Sequence, residues 1–215
     1  MINEILAEYV CSHTGAEAEY LSEITRRTEQ RCVNPRMSSG HVQGRVLAML
    51  SKLINPKRVL EIGTFSGYSA LCLAEGLQTE GRVITIEKND ELEEFIRTNL
   101  ALSPLGKKIE LVIGAAEDIL PTLPLSENNL FDVVYLDADK RRYIEDYELV
   151  LPFLRQGGLL IADNTLWDGH IADHAYDKDA QTRAIRAFNE HLLSDNRIEH
   201  AILPIRDGLT LIRKR

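Results

Sequence analysis

Acidic and amide side chains follow two apolar runs in the second half of the chain. Asp137 comes directly after Val133–Leu136, and Asp163 and Asn164 come directly after Leu159–Ala162. If these runs are neighbouring strands of a parallel sheet, their carboxyl ends lie at one edge and the three side chains converge there. A few oxygen ligands of this kind suit Mg²⁺, and also Ca²⁺ or Mn²⁺. The alternative is that these residues merely end strands and begin turns or cap helices.

Lys140 stands close to this group in the sequence, in the stretch Asp137-Ala138-Asp139-Lys140. An ordinary lysine here would be a solvated surface residue. Beside a divalent cation its ammonium form would be disfavoured, which would suit it to act as a general base.

A glycine-containing loop lies earlier, in the run Arg58–Ser69 (RVLEIGTFSGYS), where an apolar strand gives way to a helical pattern. Glycine lets the backbone approach a ligand, and the following helix presents free N–H groups. Phe65 replaces the second glycine of the dinucleotide fingerprint, so the loop suits the pyrophosphate of NAD or FAD poorly. S-adenosylmethionine has no pyrophosphate, and the form Glu-x-Gly-x-x-x-Gly, here beginning at Glu61, is common among its binders. A tight strand–helix turn without a ligand is the alternative.

Glu87 ends the next apolar run, Arg82–Glu87. A carboxylate at this place can accept hydrogen bonds from both ribose hydroxyls of an adenosyl cofactor. Ser69 is either a simple residue of the first helical turn or a donor to the methionyl carboxylate.

The elements that must position these residues alternate between strand and helix. Fully apolar strands that alternate with helices are typical of a parallel sheet covered on both faces. The predicted strands are Val59–Ile62, Val83–Ile86, Ile109–Ile113, Val133–Leu136 and Leu159–Ala162, and the predicted helices lie near Tyr68–Leu77, Leu92–Leu102, Ala116–Leu123, Tyr143–Leu154 and Thr182–Leu193.

The two ends of the chain depart from this alternation. Ala201–Ile205 and Leu209–Ile212 flank Arg206-Asp207-Gly208, and Asp-Gly between such runs predicts an antiparallel hairpin. We therefore expect a seven-stranded, mostly parallel α/β sheet of the class I methyltransferase type. The first 55 residues are predicted to be helical, and one helix carries an apolar stripe of Val42, Val46, Leu47, Leu50 and Leu53. The expected organisation is one domain, 1–215, with a helical segment 1–55 before a Rossmann-like core 57–215.

Composition narrows the classes of partner. The chain has 215 residues and a net charge of −8, and its basic residues form no run longer than the triplets Lys140-Arg141-Arg142 and Arg213-Lys214-Arg215. This argues against nucleic acid as the main partner. The three cysteines show no CxxC spacing, and no apolar run approaches the roughly 20 residues that cross a bilayer. We expect a cytoplasmic protein without membrane contact.

Five motifs in order resemble one family, the caffeoyl-CoA and catechol O-methyltransferases, and most closely its cation-dependent branch. They are Met37-Ser38-Ser39, GTFSGYS, FDVVYLDADKRRY, GGLLIADNTLWDG and LPIRDGLTLIRKR. The resemblance implies a homodimeric enzyme that transfers a methyl group from S-adenosylmethionine to a catechol-like hydroxyl chelated by a divalent cation, with Mg²⁺ the leading candidate.

The resemblance also implies roles for individual residues. Asp137, Asp163 and Asn164 would bind the metal, and Lys140, acting with Asp137, would be the catalytic base. The implied cofactor contacts are Met37, Ser39, Glu61, Gly63, Ser69, Glu87, Ala116, Asp137 and Asp139.

One position departs from the plant pattern DNTLWNG: Asp168 replaces its second asparagine. Asp168 is either a substrate contact that favours a more cationic acceptor, a further oxygen near the metal, or a surface turn residue. Trp167 either stacks on an aromatic acceptor or anchors packing. Two other functions compete: a nicotinamide-dependent oxidoreductase, against which Phe65 argues, and a non-catalytic S-adenosylmethionine-binding scaffold, against which the complete ligand set argues.

Overall fold

The computed structural model describes residues 4–124 and 126–215. In chain order the helices are α1 Glu4–His13, α2 Glu19–Arg31, α3 Gly40–Ile54, α4 Tyr68–Ala74, α5 Glu93–Leu100, α6 Ala116–Ile119, α7 Tyr143–Val150 and α8 Ala180–Ser194. The strands are β1 Arg58–Ile62, β2 Arg82–Glu87, β3 Ile109–Ile113, β4 Phe131–Leu136, β5 Leu154–Asp163, β6 Ile198–Leu203 and β7 Leu209–Lys214. Short 3-10 turns connect several of them, among them Lys140–Arg142 and Trp167–Ala172.

The strands form one seven-stranded sheet in the order β3-β2-β1-β4-β5-β7-β6. β2 pairs with β3 and β4 with β5 in parallel, whereas β7 is antiparallel to both β5 and β6. The predicted mostly parallel sheet with a C-terminal antiparallel hairpin is confirmed. Val59, Leu60, Val134 and Leu136 are fully buried, as expected of strands covered on both faces.

The hairpin is confirmed, but its first strand is displaced from the predicted Ala201–Ile205. β6 begins at Ile198, and its last pair in the ladder is Leu203 with Leu209. Pro204 follows directly and has no N–H to donate to the ladder, which explains why the strand stops there. The turn then closes through Gly208, which has a φ of 91°.

By its internal contacts the described chain divides into two units. The N-terminal unit comprises residues 4–59 and Thr64–Gly114, and the C-terminal unit comprises Leu60–Gly63 and Ala115–Arg215, apart from residue 125.

In the N-terminal unit, α3 packs closely on α4. A Cβ on Gly44 would lie 2.6 Å from the Tyr68 ring, so only glycine permits this approach. The predicted helix is confirmed. Leu47 of the predicted apolar stripe is buried and Leu53 is exposed, and the buried face also includes Gln43, Gly44, Ala48 and Ser51. Close packing of the two helices selects small side chains over large ones at this contact.

In the C-terminal unit, α7 and α8 pack through aromatic side chains. The rings of Tyr143 and Tyr147 both meet Phe188 edge to face. Lys214 on β7 donates to the carbonyls of Leu151 and Leu154 at 2.8 and 2.7 Å, which fastens the last strand to the segment after α7.

Within 4–124 and 126–215, no helix has the length and apolar character needed to span a membrane.

Burial of the Asp146 carboxylate on α7 lowers the stability of the fold at neutral pH. Its carboxyl is buried, and desolvation raises its pKa to about 6 despite the guanidinium of Arg142 at 3.6 Å. Because the pKa is raised on folding, stability should fall as the pH rises from about 4 to about 6 and stay lowered above that. We expect Asp146→Asn to stabilise the protein at pH 7.5 by roughly 2 kcal/mol, measured by urea unfolding, and to weaken this pH dependence.

Glu145→Gln supplies the matched control, because it removes the same charge from an exposed neighbouring position of α7. Equal changes in stability for the two variants at pH 7.5 would show that burial of Asp146 is not the cause.

Candidate active site

The strand-end carboxylates are brought together by the register of β4 and β5. Leu136 pairs with Ala162, so Asp137 and Asp163, the next residue on each strand path, stand at the same sheet edge. Asp163 is almost fully buried, and the Asp137 side chain is 20% exposed. Both residues belong to the C-terminal unit, and they lie at the neighbouring strand ends where the sequence predicts them.

Lys140 lies against this pair. Its Nζ donates to Asp137 Oδ1 and to the Tyr143 hydroxyl, both at 2.6 Å, and its side chain is only 8% exposed. The Tyr143 hydroxyl in turn lies 2.8 Å from the carbonyl oxygen of Asp163, to which it donates. Lys140 is therefore a buried ion-pair partner rather than a solvated surface lysine.

Tyr143 serves as a neutral donor in this arrangement. Complete burial raises the pKa of its hydroxyl well above the usual value, and the negative charges of Asp137 and Asp163 raise it further. The hydroxyl thus keeps its proton and links the ammonium group of Lys140 to the backbone of β5.

Asp163 is held by two donors. The Tyr135 hydroxyl donates to Oδ2 at 2.6 Å, and the backbone N–H of Asn164 donates to Oδ1 at 2.8 Å. Asn164 has a φ of 55°, and its Nδ2 lies 3.5 Å from Asp207 Oδ2 in the hairpin turn. These two hydrogen bonds therefore fix the orientation of the Asp163 carboxylate.

The donor set fits a hard divalent cation. Asp137, Asp163 and Asn164 offer two carboxylates and an amide oxygen, and a carboxylate oxygen can accept a hydrogen bond and bind a cation at the same time. Lys140 offsets part of the negative charge. Such oxygen sets with few protein ligands are typical of Mg²⁺ sites.

Gly63, in the same unit, meets Asp137 at the end of β1. It has a φ of 94°, and a Cβ there would lie 2.0 Å from the Asp137 carbonyl oxygen. The Asp137 N–H donates to the Ile62 carbonyl at 2.9 Å. Only glycine fits this crossing of backbones.

In the N-terminal unit, Glu87 organises the glycine loop. Its Oε2 accepts from the N–H groups of Thr64 and Phe65 at 3.2 and 2.8 Å, and its Oε1 accepts from Asn89 N–H at 2.8 Å. Phe65 has a φ of 53°, a conformation that needs such support. The carboxylate thus has a role in shaping the loop that sequence reasoning missed, and it keeps further acceptor capacity.

The other residues predicted to contact the cofactor differ in their burial and in the elements that carry them. Ser39 and Ser69 are buried at the starts of α3 and α4, and Met37 is 60% exposed before α3. In the C-terminal unit Glu61 is buried in β1, and Ala116 is the first residue of α6.

The carboxylate of Asp139 forms an ion pair with Arg141. Arg141 donates to both of its carboxylate oxygens and, through its backbone N–H, to Oδ1, which lowers the pKa of Asp139.

The predicted substrate residues share an unusual backbone. Trp167, Asp168 and Gly169 have φ values of 45°, 53° and 80° in succession. Trp167 is half-buried and Asp168 is exposed.

A second cluster of possible ligands, Glu148, His191 and Asp195, lies between α7 and the end of α8. Arg197 donates to both carboxylates at 2.6 Å, and the Tyr147 hydroxyl donates to Asp195 at 2.7 Å. The two carboxylates of the cluster therefore belong to an ion-pair network with Arg197.

Sequence reasoning missed the residues that support the ligands: Tyr135, Tyr143 and Asp207. Tyr135 lies inside the predicted strand Val133–Leu136, and Tyr143 begins the predicted helix near Tyr143–Leu154, so neither position by itself marks a support of the site. The available signal was that a buried tyrosine needs a partner for its hydroxyl.

Comparisons with known proteins show the family to which the chain belongs. The O-methyltransferase family model matches residues 11–215. A caffeoyl-CoA O-methyltransferase of Populus kitakamiensis is 34% identical over 99% of this chain and 94% of that protein, and one of Petroselinum crispum is 34% identical over 92% and 85%.

Solved structures show the same fold. The O-methyltransferase TomG of Streptomyces achromogenes, involved in tomaymycin synthesis and solved with S-adenosylmethionine, has a TM-score of 0.88 and 31% identity, covering 98% of this chain and 96% of its own. An O-methyltransferase of Bacillus cereus, solved with S-adenosylhomocysteine, has a TM-score of 0.89 and 27% identity over 98% and 97%.

The sheet, its hairpin and these matches define a Rossmann-like, S-adenosylmethionine-dependent O-methyltransferase. More particularly, the chain belongs to the caffeoyl-CoA O-methyltransferase family.

Tyr143→Phe tests the support of Lys140. The change removes the hydroxyl that Lys140 contacts at 2.6 Å, so we expect turnover to fall about tenfold or more while the fold remains. Tyr147→Phe is the control, since it removes a hydroxyl from the same helix that binds Asp195 instead. Equal turnover of the two variants in a methyl-transfer assay would contradict a role for Tyr143 at the site.

Proposed function

We propose that the protein is a divalent-cation-dependent O-methyltransferase that methylates a hydroxyl of catechol-like small molecules. The observation that carries this proposal is the buried contact of Lys140 with Asp137 at the sheet edge that also bears Asp163. Cation-dependent methylation of a catechol uses a base that takes the proton of the acceptor hydroxyl and oxygen ligands for the cation that the acceptor chelates.

Asp137, Asp163 and Asn164 are the proposed cation ligands. A bound divalent cation would act as a Lewis acid that lowers the pKa of a chelated hydroxyl. Tyr135 and the backbone of Asn164 hold the Asp163 carboxylate in place for this role. Preorganised ligands of this kind bind without the cost of ordering.

Lys140 is the proposed base. Its Nζ, in the neutral form, would take the proton of the acceptor hydroxyl, and Tyr143 and Asp137 would hold the resulting ammonium group. S-adenosylmethionine supplies an electrophilic methyl group on its sulfonium sulfur. The acceptor oxygen then uses its electron pair to form the new O–C bond, the S–C pair stays on sulfur, and the products are a methyl ether and S-adenosylhomocysteine.

The proposed contacts of S-adenosylmethionine remain those of the sequence prediction. Gly63 keeps the backbone at the end of β1 free of a side chain, and Glu87 holds the loop at Thr64 and Phe65. The further proposed contacts are Met37, Ser39, Glu61, Ser69, Ala116, Asp137 and Asp139.

Trp167 and Asp168 are the proposed acceptor contacts. A half-buried indole can stack on an aromatic ring, and an exposed carboxylate disfavours anionic acceptors. We therefore propose that diphenols bearing an amine are better acceptors than diphenols bearing a carboxylate. A homodimer and a cytoplasmic location also remain predictions.

Transfer of a labelled methyl group tests the function. We expect label from S-adenosylmethionine to appear in a diphenol acceptor with Mg²⁺ or Mn²⁺ present, to stop on exhaustive chelation with EDTA, and to return when the cation is restored. The acceptors are diphenols bearing an amine, no charged group or a carboxylate, with a monophenol as the matched compound that cannot chelate.

Full activity after chelation would refute the cation requirement, and equal rates with the monophenol would refute chelation of the acceptor. Binding of NADH in place of S-adenosylhomocysteine in a calorimetric titration would favour the oxidoreductase. Tight S-adenosylhomocysteine binding without transfer to any acceptor would favour the scaffold.

Lys140→Met tests the base. We expect turnover to fall about 100-fold or more, since general base catalysis is worth that much, while the affinity for S-adenosylhomocysteine stays within twofold. Lys107→Met, at an exposed position, is the control. Unchanged turnover of Lys140→Met would remove this residue as the base.

A further inference from the structure

Trp167 and Asp168 lie in the segment of residues 165–177 after β5. Its backbone is strained and needs contacts with other elements to hold it in place. Trp167 and Asp168 both have positive φ, a conformation that costs a residue with a side chain of order 1 kcal/mol or more. Within the segment, the bonds are short-range turns such as Gly169 N–H to Leu166 O at 2.9 Å. Such turns do not by themselves hold a segment in one place.

Arg186 on α8 supplies a restraint from outside. Its Nε donates to the Ile171 carbonyl at 2.8 Å, and its Nη2 donates to the carbonyls of His170 and Asp173 at 3.0 and 2.8 Å. Its Nη1 donates to Asp177 Oδ1 at 2.6 Å. One planar guanidinium therefore binds four acceptors along the segment that follows Trp167 and Asp168.

Asn189, one turn further along α8, holds the start of the same segment. Its Nδ2 donates to the Thr165 carbonyl at 2.9 Å. The Thr165 hydroxyl also accepts a hydrogen bond from the hydroxyl of Thr210 on β7 at 2.8 Å. The segment is thus fastened to α8 on both sides of Trp167 and Asp168.

We propose that Arg186 is the positioning residue of the acceptor site: it sets the backbone that presents Trp167 and Asp168, and it does not touch the acceptor itself. This inference rests on the proposed function, because it takes the acceptor to bind at these two residues. Arg186 then governs the affinity for the acceptor rather than for S-adenosylmethionine.

The test compares Arg186→Gln with Arg183→Gln, which removes an exposed arginine one turn earlier on α8. For Arg186→Gln we expect the acceptor KM to rise about tenfold, with kcat at saturating acceptor and S-adenosylhomocysteine affinity within about twofold of the parent. Amide hydrogen exchange at residues 167–173 should become at least about tenfold faster. Arg183→Gln should resemble the parent in every measurement.

Arg186→Lys adds a rescue arm. Lysine keeps the charge and three donors but lacks the planar fork, so we expect an acceptor KM between those of the parent and Arg186→Gln. A general loss of stability would instead lower kcat and cofactor affinity together, and that result would overturn the proposal.

The remaining outcomes separate the inference from the proposed function. If the parent protein methylates a diphenol but Arg186→Gln keeps its acceptor KM, the inference alone is wrong, whatever the hydrogen exchange shows. If the parent methylates no acceptor of the panel, the proposed function fails and the inference fails with it.

Discussion

The pairing of β4 with β5 places two carboxylates, Asp137 and Asp163, at the same edge of the sheet, and their surroundings are arranged to bear that charge. Lys140 neutralises one carboxylate, and the Tyr135 hydroxyl and a backbone N–H solvate the other. Buried carboxylates without such partners would be costly. A divalent cation would satisfy the same requirement, which links the stability of this edge to its proposed chemistry.

Asp137 joins this charge balance to the backbone of β1. Its N–H binds the Ile62 carbonyl, and its own carbonyl lies where a side chain on Gly63 would otherwise be. The position of the proposed base and the shape of the strand end are therefore set by one residue. A change at Gly63 would reach Lys140 through Asp137, without direct contact.

The segment after β5 follows a different principle. Its positive-φ residues are held by α8 and by the hairpin, since Leu166 N–H donates to the Asp207 carbonyl and Thr165 N–H to the Gly208 carbonyl. The C-terminal hairpin thus does more than extend the sheet: it buttresses the residues proposed to meet the acceptor.

The sequence by itself determined the mostly parallel sheet, its C-terminal hairpin and the family, because apolar runs, an Asp-Gly turn and short motifs are each properties of a few neighbouring residues. It also determined that Asp137 and Asp163 meet, because parallel strands end at one edge. Tertiary structure alone decided that α3 buries small residues, that Glu87 binds its own loop, and that Tyr143 and Arg186 support the site. Those contacts join residues whose partners are set by packing and hydrogen-bond geometry in three dimensions, and the local pattern of the chain does not identify those partners.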